Sequence, residues 1–336
     1  MTMRSTDRNM RRRSTIGIKL AAGTASIVCL LSMTALPAWA TAGAITEFPV
    51  PTPTSAPDGI TSGPDANLWF TEFNGNKIGR TTTSGAIKEF VVPTATSGPH
   101  IITPGADGNL WFTETYGNKI GRITTAGAIK EFVVPTATSG PNGISQGPDD
   151  NLWFTEFKAN KIGRIGTTGK IREFVVPTPS SGPVAITSGP DGNLWFTEAN
   201  ANKIGRITTG GTVKEFAVPT PGSYPDNVIR GPDGNLWFTE DRGNRIGRIT
   251  TAGAIKEFAV PTPSSEPVGI ATGPDGNLWF AEAGGNKIGR ITTGGIVKQF
   301  LVPTASSRPY HIAPGSDGNL WFTEANGDKV GRITTR

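Results

Sequence analysis

Two acidic residues and one basic residue accompany each of seven tryptophans at fixed spacings. An Asp lies four residues before each tryptophan, a Glu three residues after it, and an Arg eleven residues after it. One such pair of carboxylates could act in acid–base catalysis or hold a metal ion. A single site does not need seven copies, so we expect these residues to cap turns and to form hydrogen-bonded ion pairs within each repeat. The aspartates are Asp65, Asp107, Asp149, Asp191, Asp233, Asp275 and Asp317, and the glutamates are Glu72, Glu114, Glu156, Glu198, Glu240, Glu282 and Glu324.

Other positions vary from repeat to repeat, and these can carry a specific site. A proline that opens one segment of every repeat is followed by Asp58, His100, Asn142, Val184, Asp226, Val268 or Tyr310. The position four residues after the tryptophan is occupied by Phe73, Thr115, Phe157, Ala199, Asp241, Ala283 or Ala325. Polar residues in and around the first set are our ligand-binding candidates: Asp58, His100, Asn142, Asp226, Arg230, Glu266, Tyr310 and His311.

The spacing of the tryptophans predicts the fold. They recur every 42 residues from Trp69 to Trp321, without an insertion or a deletion. A period of about 40–45 residues with one tryptophan is typical of a β-propeller blade. Each repeat has four short runs rich in Ile, Val, Phe, Trp and Thr, separated by turns rich in Gly, Asn and Pro. The sequence therefore predicts an all-β fold: a seven-bladed β-propeller with four antiparallel strands in each 42-residue blade.

The two ends of the repeat region are incomplete in complementary ways. "AITEFPVP" (residues 44–51) resembles a fourth strand without the first three, and "DKVGRITTR" (residues 328–336) ends on a third strand without a fourth. We expect the N-terminal strand to join the last blade, which closes the ring and removes a free sheet edge. A closed ring is compatible with a monomer, which we expect.

Antiparallel topology predicts where the variable positions lie. The start of each first strand and the end of each second strand share one face of the disc, and the nearly invariant "PDGN" turns lie on the other. We call the former the Pro-X face, after the proline and the variable residue that follows it. His311 lies one residue beyond the X position of its repeat. Since strand residues alternate between faces, we expect His311 to point away from the direction of that position.

Residues 1–40 differ from the rest of the chain. Six basic residues precede the apolar stretch "LAAGTASIVCLLSMTAL", and "AWA" at residues 38–40 fits a small-x-small cleavage site. We interpret residues 1–40 as a signal peptide cut after Ala40 and residues 41–336 as the propeller. The protein is then exported, to the periplasm or the medium; an uncleaved membrane anchor is the alternative.

Charge and cysteine content follow from this division. The leader has six basic residues and one acidic residue, so it accounts for the whole net charge of +5. The formally neutral remainder argues against a nucleic-acid partner, and we expect no membrane contact after cleavage. The only cysteine, Cys29, lies in the leader, so the mature protein is expected to have no disulfide and no thiol chemistry.

The repeated strings "GPDGNLWFTE", "NKIGRIT" and "VPTP", with a Pro-His pair in one copy, resemble the streptogramin B lyases, also called virginiamycin B lyases. The resemblance covers all seven repeats, residues 44–336. It implies a seven-bladed propeller that opens the lactone of a cyclic depsipeptide antibiotic by Mg²⁺-dependent elimination. Magnesium is expected as a cofactor from this resemblance alone.

The resemblance also implies site residues. In the family two histidines follow the proline in neighbouring blades, one of them in a Glu-Pro-His string, and a glutamate lies four residues after the tryptophan of that blade. Here His100 occupies a histidine position and is our catalytic candidate, a neutral imidazole that removes a proton, with Asp58 to orient it. Glu266 begins a Glu-Pro string, but Val268 stands in the place of its histidine. The metal-ligand candidates are Glu266 and Asp241, the only acid four residues after a tryptophan.

Three functions remain open on the sequence. The first is a module that binds a small molecule, a glycan or a peptide on the Pro-X face. The second is a carbon–oxygen lyase with a rearranged site around His100; magnesium dependence and loss in His100→Ala would favour it. The third is a structural or protein-interaction role, which the near identity of the repeats supports and saturable binding of a protein to the disc rim would favour. A ligand held without turnover, and weakened by changes at Tyr310 or Asp226, would favour the first.

Overall fold

The structure is a computed structural model that describes residues 42–336. The chain divides into two units, Met1–Trp39 and Ala40–Arg336. The signal peptide predicted for residues 1–40 lies outside the described residues. From residue 42 to the C-terminus the secondary structure consists of 28 β-strands, and no helix there could cross a membrane.

The strands form seven four-stranded antiparallel sheets, the predicted blades, which we number from blade 1 (β2–β5) to blade 7 (β26–β28 with β1). The first strands are β2 (Pro57–Ser62), β6 (Pro99–Pro104), β10 (Pro141–Gln146), β14 (Pro183–Ser188), β18 (Pro225–Arg230), β22 (Pro267–Thr272) and β26 (Pro309–Pro314). The second strands are β3 (Leu68–Glu72), β7 (Leu110–Glu114), β11 (Leu152–Glu156), β15 (Leu194–Glu198), β19 (Leu236–Glu240), β23 (Leu278–Glu282) and β27 (Leu320–Glu324).

The outer half of each blade consists of the third and fourth strands. The third strands are β4 (Lys77–Thr81), β8 (Lys119–Ile123), β12 (Lys161–Ile165), β16 (Lys203–Ile207), β20 (Arg245–Ile249), β24 (Lys287–Ile291) and β28 (Lys329–Ile333). The fourth strands are β5 (Ile87–Val91), β9 (Ile129–Val133), β13 (Ile171–Val175), β17 (Val213–Ala217), β21 (Ile255–Ala259), β25 (Val297–Leu301) and, in blade 7, β1 (Ile45–Pro49).

The ring closes as predicted. Strand β1 pairs antiparallel with β28, with Ile45 opposite Ile333 and Pro49 opposite Lys329. The first strand of each blade contacts the first strands of both neighbouring blades, and β2 contacts β26. The first strands therefore line the central channel, and their starts bring the variable residues of all seven blades together around it.

The apolar core lies between neighbouring blades. Trp69 and Ile78 of blade 1 pack with Leu110 and Phe112 of blade 2, and all four side chains are fully buried. Trp69 also stacks on Phe90 of its own blade, with ring centroids 5.5 Å apart. Burying each such side chain contributes roughly 1.5–3 kcal/mol, and equivalent clusters occur at every junction. The repeated residues thus hold the blades together.

The repeated aspartates cap turns, as predicted. Asp65 accepts hydrogen bonds from the Trp69 indole N–H at 2.9 Å and from the Asn67 amide at 2.8 Å, and it lies 3.6 Å from Arg80. Burial alone would raise the pKa of Asp65, but these hydrogen bonds hold it below its ordinary value. The same contacts recur in the other blades, so these carboxylates belong to the fold.

The repeated glutamates do not form the predicted ion pairs. Glu114 is fully buried, and neither of its carboxylate oxygens has a hydrogen-bond partner. Its cross-strand neighbour Lys119 binds Glu131 of β9 instead, at 2.8 Å. Burial, together with repulsion from Glu131, raises the pKa of Glu114 to about 8. The prediction is wrong because burial removes the carboxyl group from water and the lysine binds the fourth-strand glutamate, so Glu114 is protonated at neutral pH.

Candidate functional site at the Pro-X face

Both variable sets border one cavity at the Pro-X face, which confirms that they share a face of the disc. The cavity has a volume of about 490 Å³, and an adjoining one of about 360 Å³ shares part of its wall. Polar residues of the first cavity include His100, Asn142, Tyr224, Asp226, Asp241, Arg242, Glu266, Arg308, Tyr310 and His311. The second cavity adds Asp58 and Phe73.

A β-bulge in each first strand decides which side chains reach the cavity. Between Pro309 and Ile312 the strand carries one residue more than its partner, so Tyr310 and His311 both lie opposite Thr323. Both Tyr310 and His311 line the cavity. The prediction that His311 points away is therefore wrong, because strict alternation holds only for a strand without a bulge.

The two histidines of the chain meet on one carboxylate. His100 Nε2 lies 3.3 Å from Asp58 Oδ2, and His311 Nδ1 lies 3.0 Å from Asp58 Oδ1. Blades 2, 1 and 7 supply His100, Asp58 and His311, so the three residues come from consecutive blades of the closed ring. Their side chains are only 10–14% exposed. We call these three residues the His–Asp–His cluster.

Threonines of the second strands hold this cluster in place. The Thr323 hydroxyl donates to the Asp58 carbonyl oxygen at 2.6 Å and accepts a hydrogen bond from the His311 N–H at 3.1 Å. In blade 1 the Thr71 hydroxyl donates to the His100 carbonyl oxygen. In five of the seven blades this threonine hydroxyl thus donates a hydrogen bond to the backbone carbonyl of the X residue in the next blade.

Glycines allow the first strands to approach closely at this point. A Cβ atom on Gly269 would lie 2.6 Å from the Cα of His311, and one on Gly59 would lie 2.6 Å from the carbonyl oxygen of His100. Real Cβ contacts are never so short, so a larger residue would push the neighbouring strand away. The histidines therefore depend on glycine in the adjacent blade.

Burial controls the protonation of His100. Burial lowers the pKa of His100, the Asp58 carboxylate opposes this, and His311 adds to the lowering. The imidazole is therefore neutral at pH 7, which is the form that can accept a proton. Phe73 lies edge-on to this ring, with centroids 5.8 Å apart, and excludes water from one side.

Across the channel the wall is acidic. Burial raises the pKa of Asp226 to about 6, with His311 opposing and with Asp241 and Asp58 adding to the rise. Burial and the nearby carboxylates Asp226 and Asp58 also raise the pKa of Tyr310 well above its ordinary value. Burial is the larger cause of both shifts, and the nearby carboxylates add to it.

Four buried polar atoms at this face have no hydrogen-bond partner. They are Asp58 Oδ1, His100 Nδ1, Asn142 Oδ1 and His311 Nδ1, from four consecutive blades. Asp58 Oδ1 and His311 Nδ1 are close to each other but not aligned as donor and acceptor. Within residues 42–336, the other such atoms belong to six of the repeated glutamates and to Arg290. Since buried polar atoms are almost always paired, these four mark a place for a bound molecule.

Two other predicted residues lie in different places. Arg230 is the last residue of β18, opposite Leu236, on the face away from the cavity. The prediction that Arg230 lies on the Pro-X face is wrong, because the six-residue strand β18 starts at that face and ends at the opposite one. Glu266 precedes β22 and lines the cavity, as expected.

Sequence reasoning missed the positioning role of Thr323, because every blade but one has the same threonine. The rarity of histidine and tyrosine in the chain could have pointed to the site. The chain has only two histidines and three tyrosines. Both histidines, with Tyr224 and Tyr310, line the cavity, and Tyr116 packs on Phe73 at its edge.

The described residues do not offer a set of ligands for the magnesium ion that the resemblance implies. Val268 and Ala283 occupy two of the implied positions, and neither side chain can bind a metal. Glu266 and Asp241 line the same cavity, and burial together with repulsion from Glu266 raises the pKa of Asp241. No three Asp, Glu, His or Cys side chains of the described part of the chain are arranged to hold a metal. The residues present therefore do not fit the ion.

Comparison with known proteins identifies the family. The model of the virginiamycin B lyase family matches residues 32–180 and 144–336. A solved streptogramin B lyase is 41% identical, with a TM-score of 0.84 over 87% of this chain and 98% of its own. The virginiamycin B lyase from Staphylococcus aureus, solved with selenomethionine, is 43% identical, with a TM-score of 0.83 over 87% of this chain and 99% of its own.

Two further structures complete the comparison. A catalytically inactive histidine-to-alanine variant of the Staphylococcus aureus enzyme, solved with quinupristin, is 42% identical, with a TM-score of 0.83 over 87% of this chain and 99% of its own. The hydrazine synthase from Kuenenia stuttgartiensis is 18% identical, with a TM-score of 0.72 over 84% of this chain and 97% of its own, and it shares the fold alone. This chain belongs to the virginiamycin B lyase family.

Proposed function

We propose that this chain binds a small molecule in the cavity at the Pro-X face. The observation that carries this proposal is the convergence of unpartnered buried atoms of His100, Asn142 and His311 on a cavity of about 490 Å³, with Asp58 on the adjoining cavity. Small-molecule sites typically have volumes of roughly 300–1,000 Å³, which favours a small molecule over an extended glycan or peptide. The family resemblance makes a streptogramin B lactone the first ligand to test.

Titration calorimetry with a small-molecule panel that includes quinupristin tests this proposal. We expect Tyr310→Ala to weaken binding at least about tenfold, because it removes an aromatic wall of the cavity. The control is Arg230→Ala, which truncates a side chain on the opposite face. Equal affinities in both variants, or no binder in the panel, would contradict a ligand site in this cavity.

A second candidate function is a carbon–oxygen lyase, and the His–Asp–His cluster favours it. Neutral His100 can take a proton from the carbon adjacent to the one that bears the ester oxygen, while the C–H electron pair forms a C=C bond and the alkyl C–O bond breaks to leave a carboxylate. Asp58, 3.3 Å away, can then stabilise the imidazolium. The substitutions Val268 and Ala283 at family-implied positions mean that this reaction would use a rearranged site.

Liquid chromatography–mass spectrometry of a streptogramin B lactone incubated with the protein, with and without Mg²⁺, tests the lyase. A product of unchanged mass and altered retention, absent in His100→Ala, would support elimination. A product heavier by one water would mean hydrolysis by another mechanism. An intact lactone, under conditions in which a known lyase consumes it, would contradict the lyase function and leave ligand binding as the proposed function.

Export and oligomeric state are further proposals. We propose cleavage after Ala40, a monomeric mature protein, and no nucleic-acid or membrane partner. The mass of the exported protein and its light-scattering mass in solution test the first two. A retained leader or a stable dimer would contradict them.

A further inference from the structure

We propose that the ligand of this cavity is an organic cation that carries an ammonium group. This inference rests on the proposed binding function and adds the chemical class of the ligand. It starts from the charged residues of the wall. The carboxylates are Asp58, Asp226, Asp241 and Glu266, and the permanently charged basic residues are Arg242 and Arg308.

The arginines do not neutralise the whole wall. Arg242 lies over the ring of Tyr224 at 4.3 Å, and Arg308 lies over Tyr310 at 5.8 Å. Asp58 contacts two histidines and neither arginine. The four acids therefore outnumber the two arginines, and an excess of negative charge in a low-dielectric cleft attracts a cation.

Unpartnered acceptors point to a donor-rich group. Asp58 is only 7% exposed, and its Oδ1 atom has no hydrogen-bond partner; Asn142 Oδ1 is likewise buried and unpartnered. An ammonium group offers up to three donors, whereas a carbonyl or carboxylate offers none. An ammonium group beside Asp58 would donate a charge-assisted hydrogen bond to its carboxylate, and one beside Asn142 would satisfy the unpartnered amide oxygen.

The aromatic wall favours an organic cation over a metal ion. Phe157, Tyr224 and Tyr310 line the first cavity, and Phe73 lines the second. Aromatic faces stabilise ammonium groups by cation–π interactions of roughly 0.5–2 kcal/mol each. Among the residues that the structure describes, no set of side chains is arranged to hold a metal. The wall is built for a cation with an apolar body.

Three matched probes test the proposal by ligand-observed NMR on the purified chain: phenethylamine, 2-phenylethanol and 3-phenylpropionate. We expect the amine to bind at least about tenfold more tightly than the alcohol or the acid. Asp58→Asn and Asp226→Asn should each weaken the amine by about tenfold or more. The control Asp150→Asn removes the same charge from an exposed turn on the opposite face, and it should change the affinity by less than about twofold because solvent screens that charge.

Several outcomes would overturn the ammonium group. The proposal fails if the alcohol or the acid binds more tightly than the amine, or if the amine does not bind. It also fails if Asp58→Asn and Asp226→Asn leave the amine affinity unchanged, or if millimolar Mg²⁺ displaces the amine. Melting temperatures of the variants exclude loss of folding as the cause. If the alcohol or the acid binds and Tyr310→Ala abolishes that binding, the ammonium proposal fails and the proposed binding function stands.

Discussion

Buried carboxylates occur in two regions of this molecule, and their surroundings differ. Glu114 and its counterparts lie inside the blades, border neither cavity, and face a second side chain of their own blade. Asp58 lies at the channel and faces His100 and His311 from the two neighbouring blades. The first arrangement recurs around the ring, and the second occurs once. Carboxylates that recur in every blade stabilise the fold, whereas residues that occur in one blade only and meet at the channel form the candidate site.

Blade 6 sharpens the comparison, because one substitution changes its glutamate pair. Gln299 stands where the other blades have a fourth-strand glutamate, and its amide donates to both oxygens of Glu282, at 2.9 and 2.7 Å. Glu282 is the one repeated glutamate whose oxygens are not left without a partner. Burial still raises the pKa of Glu282 to about 7, so blade 6 separates the effect of burial from that of a facing carboxyl group.

The largest expected effect is a loss of stability as pH rises. The pKa of Glu114 is about 8 in the folded protein, against an ordinary value of 4.5. The stabilisation from its protonated form is complete below pH 4.5 and is lost as pH rises through 8. If about one pKa unit is effective at each of the seven buried glutamates, the loss is about 10 kcal/mol, or on the order of 15 °C in melting temperature.

Calorimetric scans between pH 5 and pH 8.5 measure this loss. The fourth-strand glutamates act in the other direction: their ion pairs hold the pKa of Glu131 below its ordinary value against the effect of burial, so acid below pH 4.5 also destabilises. We therefore expect maximal stability near pH 5. A melting temperature that rises steadily from pH 5 to pH 8 would show that the buried glutamates are ionised.

Exchanging one residue between blades should change only the part of this pH dependence that a facing carboxyl group adds to burial. Glu131→Gln copies blade 6 into blade 2, so the pKa of Glu114 should fall from about 8 toward the value of about 7 that Glu282 has, which flattens the curve by up to about 1.4 kcal/mol between pH 5 and pH 8. Gln299→Glu copies the other blades into blade 6 and should steepen it by a similar amount. The same scans measure both variants. Equal curves for both variants would mean that facing carboxyl groups do not set the pH dependence.

Changing Asp58 should alter the histidines and leave the fold nearly unchanged. The Asp58 carboxylate opposes the lowering of the His100 pKa by burial, so Asp58→Asn should lower that pKa further. The chain has two histidines, so histidine NMR titration follows two Hε1 signals that single substitutions assign. An unchanged His100 titration would show that the three side chains do not form a cluster in solution.

The smallest effect concerns the threonine that positions the cluster. Thr323→Ala removes the hydroxyl that bonds Asp58 and His311, and it should cost about 1 kcal/mol of stability. Thr155→Ala removes the equivalent hydroxyl between blades 3 and 4 and should cost about the same. Blade 6 folds with Ala281 at this position, so the hydroxyl is not required for folding. Only Thr323→Ala should also shift the His311 NMR signals, because only Thr323 contacts Asp58 and His311. Equal shifts from both variants would remove the positioning role.

The sequence was sufficient to predict the architecture, and less so the site. Periodicity and the incomplete ends predicted seven blades and the closure by β1, since both depend on patterns that repeat. Strand direction predicted that both variable sets share a face. The direction of His311 depended on a bulge that the alternating pattern does not reveal. The state of Glu114 depended on its complete burial and on the partner that Lys119 takes, which only the packed blade shows.

The most direct test of the central claim measures ligand affinity and melting temperature together in Tyr310→Ala and Glu131→Gln. The account predicts that Tyr310→Ala loses at least about tenfold in affinity for a ligand of the cavity and keeps the pH dependence of its melting temperature. Glu131→Gln should keep the affinity and lose part of that pH dependence. The reverse pattern would contradict the assignment of the repeated carboxylates to the fold and of the singular residues to the site.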